Sequence, residues 1–99
     1  MESKNTTCEN SIEKRLVTEV ESVGGWCLKL PAIHNAGLPD RLCLFPGGEV
    51  VFVELKAFGK KPRKIQTLMH QKLKAMGFRV EVIDTTMGCK MLALEYDRK

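Results

Sequence analysis

The sequence lacks any run of about 18 apolar residues, so it offers no candidate for a membrane-spanning helix. Its first ten residues mix Glu2, Lys4 and a set of Asn and Thr where a secretory signal would place basic and then apolar residues. The expectation is a protein that stays in the cytoplasm and does not meet a membrane. Cysteine is sparse: Cys8, Cys27, Cys43 and Cys89 stand apart, with no C-x-x-C pair and no His at zinc-finger spacing, which argues against a structural zinc site. Cys27 and Cys43 lie inside apolar runs and read as buried, reduced thiols, with a disulfide framework as the alternative. There is no internal repeat and no Pro-, Gly- or Ser-rich linker, so nothing divides the chain.

One further absence is local. Between Leu55 and Val80 there is no acid, while Lys56, Lys60, Lys61, Arg63, Lys64, Lys72, Lys74 and Arg79 supply eight positive charges. The formal net charge is only +4, from 16 Lys and Arg against 12 Asp and Glu, so the rest of the chain carries eight positive charges against twelve negative ones. A basic segment on an otherwise acidic molecule is the sequence footprint of a polyanion-binding surface, though a solvated face has the same composition. Anionic lipid fits less well, because the segment has no belt of Trp and Phe.

What is present reads as one small domain. At 99 residues, 43% hydrophobic and 28% charged, the chain is long enough for one core and too short for two. Residues 1–10 are polar and are expected to form a disordered tail, leaving 11–99 as the domain. Ile12, Leu16, Val20 and Val23 have helical spacing, Asn10 is a candidate cap with Glu13 three residues on, and Gly24-Gly25 end the helix. Trp26 to Leu30 reads as a strand and Pro31 to Pro39 as a loop. Asp40 to Phe45 and Glu49 to Lys56 form a hairpin across Pro46-Gly47-Gly48. The apolar block Val50 to Val53 predicts a central strand buried on both faces. A second helix is expected from about Pro62 to Gly77, then strands over Phe78 to Asp84 and Met91 to Tyr96. The order α-β-β-β-α-β-β gives an α/β fold, a central mixed sheet with helices on its faces.

Charges at the end of the central strand are the anomaly. Alternation puts Val50, Phe52, Glu54 and Lys56 on one face and Val51, Val53 and Leu55 on the other. If the loop is Pro46 to Gly48, Phe45 pairs with Glu49 and Asp40 lands opposite Glu54, whereas a loop one residue longer would set Asp40 against Val53. In the first register the two acids share a face with Cβ atoms about 4.5–5.5 Å apart. Two carboxylates that close in a partly buried site either share a proton or hold a cation between them. A hard divalent ion suits oxygen ligands, and Mg2+ suits a site with few carboxylates and several waters. Glu13 sits on the same side of its helix as Leu16, Val17 and Val20 and is either a capping-box acid or a third carboxylate aimed inward. Gln66 opens the second helix and is a surface polar residue unless the site uses it. A structural ion pair of Lys56 with Glu54 or Asp40 is the bland alternative for the whole cluster.

Pro39-Asp40 followed by Glu54-Leu55-Lys56 resembles the PD-(D/E)XK nuclease signature. With Glu13 on the first helix, Gly37-x-Pro39-Asp40 ahead of the hairpin, Val53-Glu54-Leu55-Lys56 ending the strand and Gln66 opening the next helix, the stretch from Ile12 to Asp84 resembles the virus-type replication-repair nuclease (VRR-NUC) domain. The resemblance implies a restriction-endonuclease-like fold and metal-dependent cleavage of DNA phosphodiesters with Mg2+ or Mn2+. It implies that Asp40, Glu54 and the main-chain carbonyl of Leu55 are metal ligands and that Glu13 reaches the metal directly or through water. Lys56 would stand at the attacking water and Gln66 would support the site or the strand being cut. One departure is visible: family members often have a Ser shortly before the Gln, where this chain has Arg63, Lys64 and Ile65.

Lys60, Lys61, Arg63 and Lys64 directly follow the strand and are expected to hold phosphates near the cut. Phosphate contacts do not read sequence, so the expected substrate is recognised by shape, a branch or four-way junction. Stand-alone family members resemble junction resolvases, which implies a two-fold homodimer with DNA as partner and no small-molecule cofactor. Met91 to Leu94 is the candidate dimer contact. Two rivals remain: a non-catalytic nucleic-acid-binding module with the same fold, and a hydrolase of small phosphate esters.

Overall fold

The computed structural model describes residues 9–31 and 36–97. The expected tail up to residue 8, with Cys8, lies outside them, as do residues 32–35 of the expected loop. Seven elements follow one another: α1 (Glu9–Ser22), β1 (Trp26–Lys29), β2 (Arg41–Phe45), β3 (Glu49–Leu55), α2 (Lys64–Ala75), β4 (Arg79–Ile83) and α3 (Thr86–Leu94).

Helix α1 begins at Glu9, so Asn10 lies inside its first turn and does not cap it. Ile12, Leu16 and Val20 form its buried stripe, each fully shielded from solvent. Burying side chains of this size contributes roughly 1.5–3 kcal/mol apiece. The helix stops where Gly24 takes a left-handed backbone, φ +86°, and the Gly25 amide donates to the Val20 carbonyl at 2.9 Å. A Cβ at Gly25 would lie 2.8 Å from the Leu44 carbonyl oxygen, so glycine is what lets α1 turn directly onto the sheet.

The sheet has the order β1-β2-β3-β4, with the first two pairings antiparallel and β3-β4 parallel, as a crossover through α2 requires. Phe45 pairs with Glu49 and Arg41 with Val53, the register that a three-residue loop dictates. Extending that ladder by one residue sets Asp40 against Glu54.

On one face Val51, Val53 and Leu55 are buried with Cys43 and Phe45 in the α1 core. On the other face Val50 and Phe52 are only half-buried, so β3 is an inner strand but is not buried on both faces. The reason is that α2 lays its buried residues Gln66, His70 and Leu73 on that face, reaching β3 near Glu54, and leaves Phe52 to an edge-on contact with Phe78.

The last element differs from expectation: Met91 to Tyr96 does not form a strand. Thr85 caps a helix there, its hydroxyl accepting from the Gly88 amide at 2.9 Å. Cys89, Leu92 and Ala93 are buried at i, i+3 and i+4 while Met91 and Leu94 face solvent. Beyond α3, Tyr96 stacks on Phe45 with ring centroids 4.2 Å apart, and Arg79 makes a two-pronged contact to Glu95. Cys27, Cys43 and Cys89 are buried free thiols, with the Cys27 and Cys43 sulfurs 3.9 Å apart across β1 and β2.

Candidate active site

Asp40 is delivered by a segment with little freedom. Gly37 adopts φ +86°, and a Cβ there would come within 2.6 Å of the Ile65 carbonyl oxygen on α2. Pro39 is fully buried. The chain thus enters β2 pressed against the start of α2, and the Asp40 carboxylate is fixed by the Leu55 amide, which donates to its Oδ2 at 2.7 Å. The last residues of β3 are equally constrained, since the Lys56 amide donates to the Ile83 carbonyl at 3.0 Å.

Glu54 is 1% exposed. Its Oε2 accepts from Gln66 Nε2 at 2.7 Å and lies 3.5 Å from Lys56 Nζ. Gln66 Oε1 in turn accepts from the Arg63 amide at 2.8 Å, so one side chain caps α2 and ties that helix to the acid. The other carboxylate oxygen, Oε1, is 3.7 Å from Nε2 of the buried His70, too long for a hydrogen bond, and neither atom has a partner. Burial pushes the Glu54 carboxyl up to about 7; the charge of Asp40 adds to this, Lys56 opposes it, and Glu9 adds a smaller push. Burial, reinforced by Lys74 and Lys56 and opposed by Asp40, holds His70 below its ordinary value and hence uncharged near neutrality.

Of the residues singled out in the sequence, Asp40, Glu54, Leu55, Lys56 and Gln66 come together here. Glu13 does not join them. Alternation along β2 turns Arg41 away from Asp40 onto the α1 face, and there Glu13 Oε2 accepts from Arg41 Nε at 2.9 Å while Arg41 Nη1 donates to the Cys27 carbonyl at 3.1 Å. Glu13 is therefore an ion-pair partner, neither cap nor third inward acid. The α1 acid within electrostatic reach of Glu54 is Glu9, one turn earlier.

Sequence reasoning misses His70, whose i+4 spacing from Gln66 is the available signal, and it leaves Glu9, which acts on Glu54 only through its charge, in the expected tail. Lys60, Lys61, Arg63 and Lys64 are exposed on the loop from β3 and the first turn of α2, a loop anchored by the Gly59 amide donating to Asp84 Oδ2 at 3.1 Å.

The donors gathered at this end of the sheet are oxygens, and one buried carboxylate oxygen has no donor while a second carboxylate repels it. That set fits a hard divalent cation. Among the described residues no group of three or more His, Cys, Asp or Glu side chains could enclose an ion, so the fit is to one that keeps much of its water, as Mg2+ does.

No protein-family model matches the chain. The protein named "Putative nuclease p44", from Acyrthosiphon pisum secondary endosymbiont phage 1, is 46% identical over 77 residues, which cover 78% of this chain and 83% of that protein. A solved structure described as a VRR_NUC domain is similar with a TM-score of 0.81 at 29% identity, over 89% of this chain and 96% of that one. With sequence kinship over most of its length and the same arrangement of helices and sheet, the chain belongs to the virus-type replication-repair nuclease (VRR-NUC) domain family.

Proposed function

We propose that this chain is an Mg2+- or Mn2+-dependent endonuclease that hydrolyses DNA phosphodiester bonds, prefers branched or four-way junction DNA, and acts in the cytoplasm as a homodimer. The observation that carries the reading is the convergence of Asp40, buried Glu54 and Lys56 at one strand end, beside an exposed basic loop. Asp40, Glu54 and the Leu55 carbonyl are the groups to hold the ion. Once bound, such an ion lowers the pKa of a water and offsets charge on the phosphoryl oxygens.

The chain's own residues do the rest. The Leu55 amide holds the Asp40 carboxylate, and Gln66 holds one oxygen of Glu54. Lys56, tied to Glu54 from the same strand face, orients the attacking water or stabilises the charge that grows on the phosphate. Lys60, Lys61, Arg63 and Lys64 bind flanking phosphates, and the exposed Phe58 beside them is available to stack on an unpaired base. A single small domain has few means of reading a long sequence, which favours recognition by shape.

Dimerisation is supported by β4, an outer strand of the sheet, whose exposed Val82 lines a groove with the more exposed Met91 of α3. A sedimentation mass near the 11.2 kDa of one chain at micromolar concentration would remove that part of the proposal.

The decisive assay incubates the protein with a four-way junction and with linear duplex in Mg2+ or Mn2+, and repeats it with Asp40→Ala and Lys56→Ala. Cleavage of the junction, reduced about a hundredfold or more in both variants with binding retained, is the expected result. Equal cutting of linear and branched DNA would refute the shape preference. Binding without cutting in any metal would turn the reading to a non-catalytic module. Turnover of nucleotide-sized esters without salt-sensitive DNA affinity would point to a small-ester hydrolase.

A further inference from the structure

Two buried polar atoms face each other without partners: Glu54 Oε1 and His70 Nε2, 3.7 Å apart in residues 1% and 6% exposed. Buried polar groups are nearly always hydrogen-bonded, so a facing pair of orphans calls for a physical reason. The surroundings supply one. Gln66 and His70 are one turn apart on the same face of α2, and both point at Glu54. Gln66 and Lys56 occupy only Oε2, so one oxygen of the carboxylate is held and the other is not.

A carboxylate that binds a cation must be ionised, and a buried anionic oxygen left without a donor has given up its water without replacement. Closing the present gap to a normal hydrogen-bond length of about 2.9 Å needs less than 1 Å of movement. We infer that His70 is a positioning residue for the metal site: its Nε2–H donates to Glu54 Oε1 and, with Gln66 on the other oxygen, clamps the carboxylate in the orientation that holds the ion. The inference rests on the metal-dependent reading above and goes beyond it in assigning a role to His70.

The test is Mn2+ binding by calorimetry on the purified full chain, without DNA, for wild type, His70→Phe, His70→Gln and Asp40→Ala, with thermal melts in chelator alongside. His70→Phe keeps the bulk and removes the donor, and should weaken Mn2+ binding about 10- to 100-fold while the metal-free melting temperature holds or rises. His70→Gln retains a side-chain N–H and should recover most of the affinity. Unchanged affinity in a folded His70→Phe, or a His70→Gln no better than His70→Phe, overturns the inference and leaves the metal site standing. Wild type binding Mn2+ no better than Asp40→Ala overturns the metal-dependent reading and this inference with it.

Discussion

Replacing Glu54 by glutamine should stabilise the metal-free fold at alkaline pH, an unusual outcome for a change at a fully buried polar position. The folded-state pKa of about 7 stands against an ordinary value of 4.5. The folded protein therefore binds this proton more tightly than the unfolded chain does. Stability from this group is complete below about pH 4.5, is lost as pH rises toward 7, and stays lost above. At about 1.4 kcal/mol per unit the full loss is at most roughly 3 kcal/mol.

Glutamine has the same length and its amide oxygen still accepts from Gln66 Nε2, but it gives up the attraction to Lys56. A net gain of about 2 kcal/mol at pH 8, or roughly 10 °C in melting temperature for a domain this small, is the expected figure. Melts of both proteins in chelator from about pH 4.5 to pH 8.5 read it directly: the two curves should meet at the acid end and diverge through pH 7. Added Mn2+ should raise the wild type alone and narrow the difference. A Glu54→Gln variant that is less stable than wild type at pH 8, or a gap that does not change with pH, would refute the electrostatic account of this site.

Gly37→Ala should destabilise by about 3 kcal/mol in urea denaturation, because the residue combines a positive φ with a would-be Cβ 2.6 Å from the Ile65 carbonyl oxygen. Since that close approach sets α2 against the strand carrying Asp40, cleavage should fall even where the variant is folded. Glu13→Gln should cost roughly 1–3 kcal/mol, since it neutralises one side of a mostly buried ion pair, and leave cleavage near wild type, while Glu9→Gln, at an exposed residue, lowers cleavage with little effect on stability. Single-turnover rates separate the two, and the opposite pattern would return Glu13 to the site. Alanine at Lys60 and Lys61 together should weaken junction binding and reduce the slope of log affinity against log salt by about 0.9 for each phosphate left without its lysine. An unchanged slope would mean that this loop does not touch the DNA.

The parts of this site that could be read in the sequence are those governed by period and by loop length. A three-residue turn at Pro46-Gly47-Gly48 admits one register, that register sets Asp40 against Glu54, and an acid after four apolar residues marks itself as out of place. Helical periodicity carries less: it correctly tells that Glu13 lies beside Leu16 and Val20, but it says only that a residue faces the sheet, not which face. Helix α1 covers the face of Val51, Val53 and Leu55, whereas Glu54 opens on the face under α2, so an inward acid in the middle of α1 meets Arg41. The α1 acid whose charge adds to the rise at Glu54 is Glu9 in the first turn, and it is hidden because a polar stretch carries no periodicity to read.

The same ambiguity between periods of two and about 3.6 makes Met91 to Tyr96 read as a strand on six residues. The cap that decides the matter, Thr85 to Gly88, lies before that window, with a glycine inside the helix disguising it. His70 shows the remaining limit. A lone histidine on an apolar helix face fits a core position equally well, and only the facing, partnerless oxygen of Glu54, contributed by a strand on the far side of the basic loop, gives it a task.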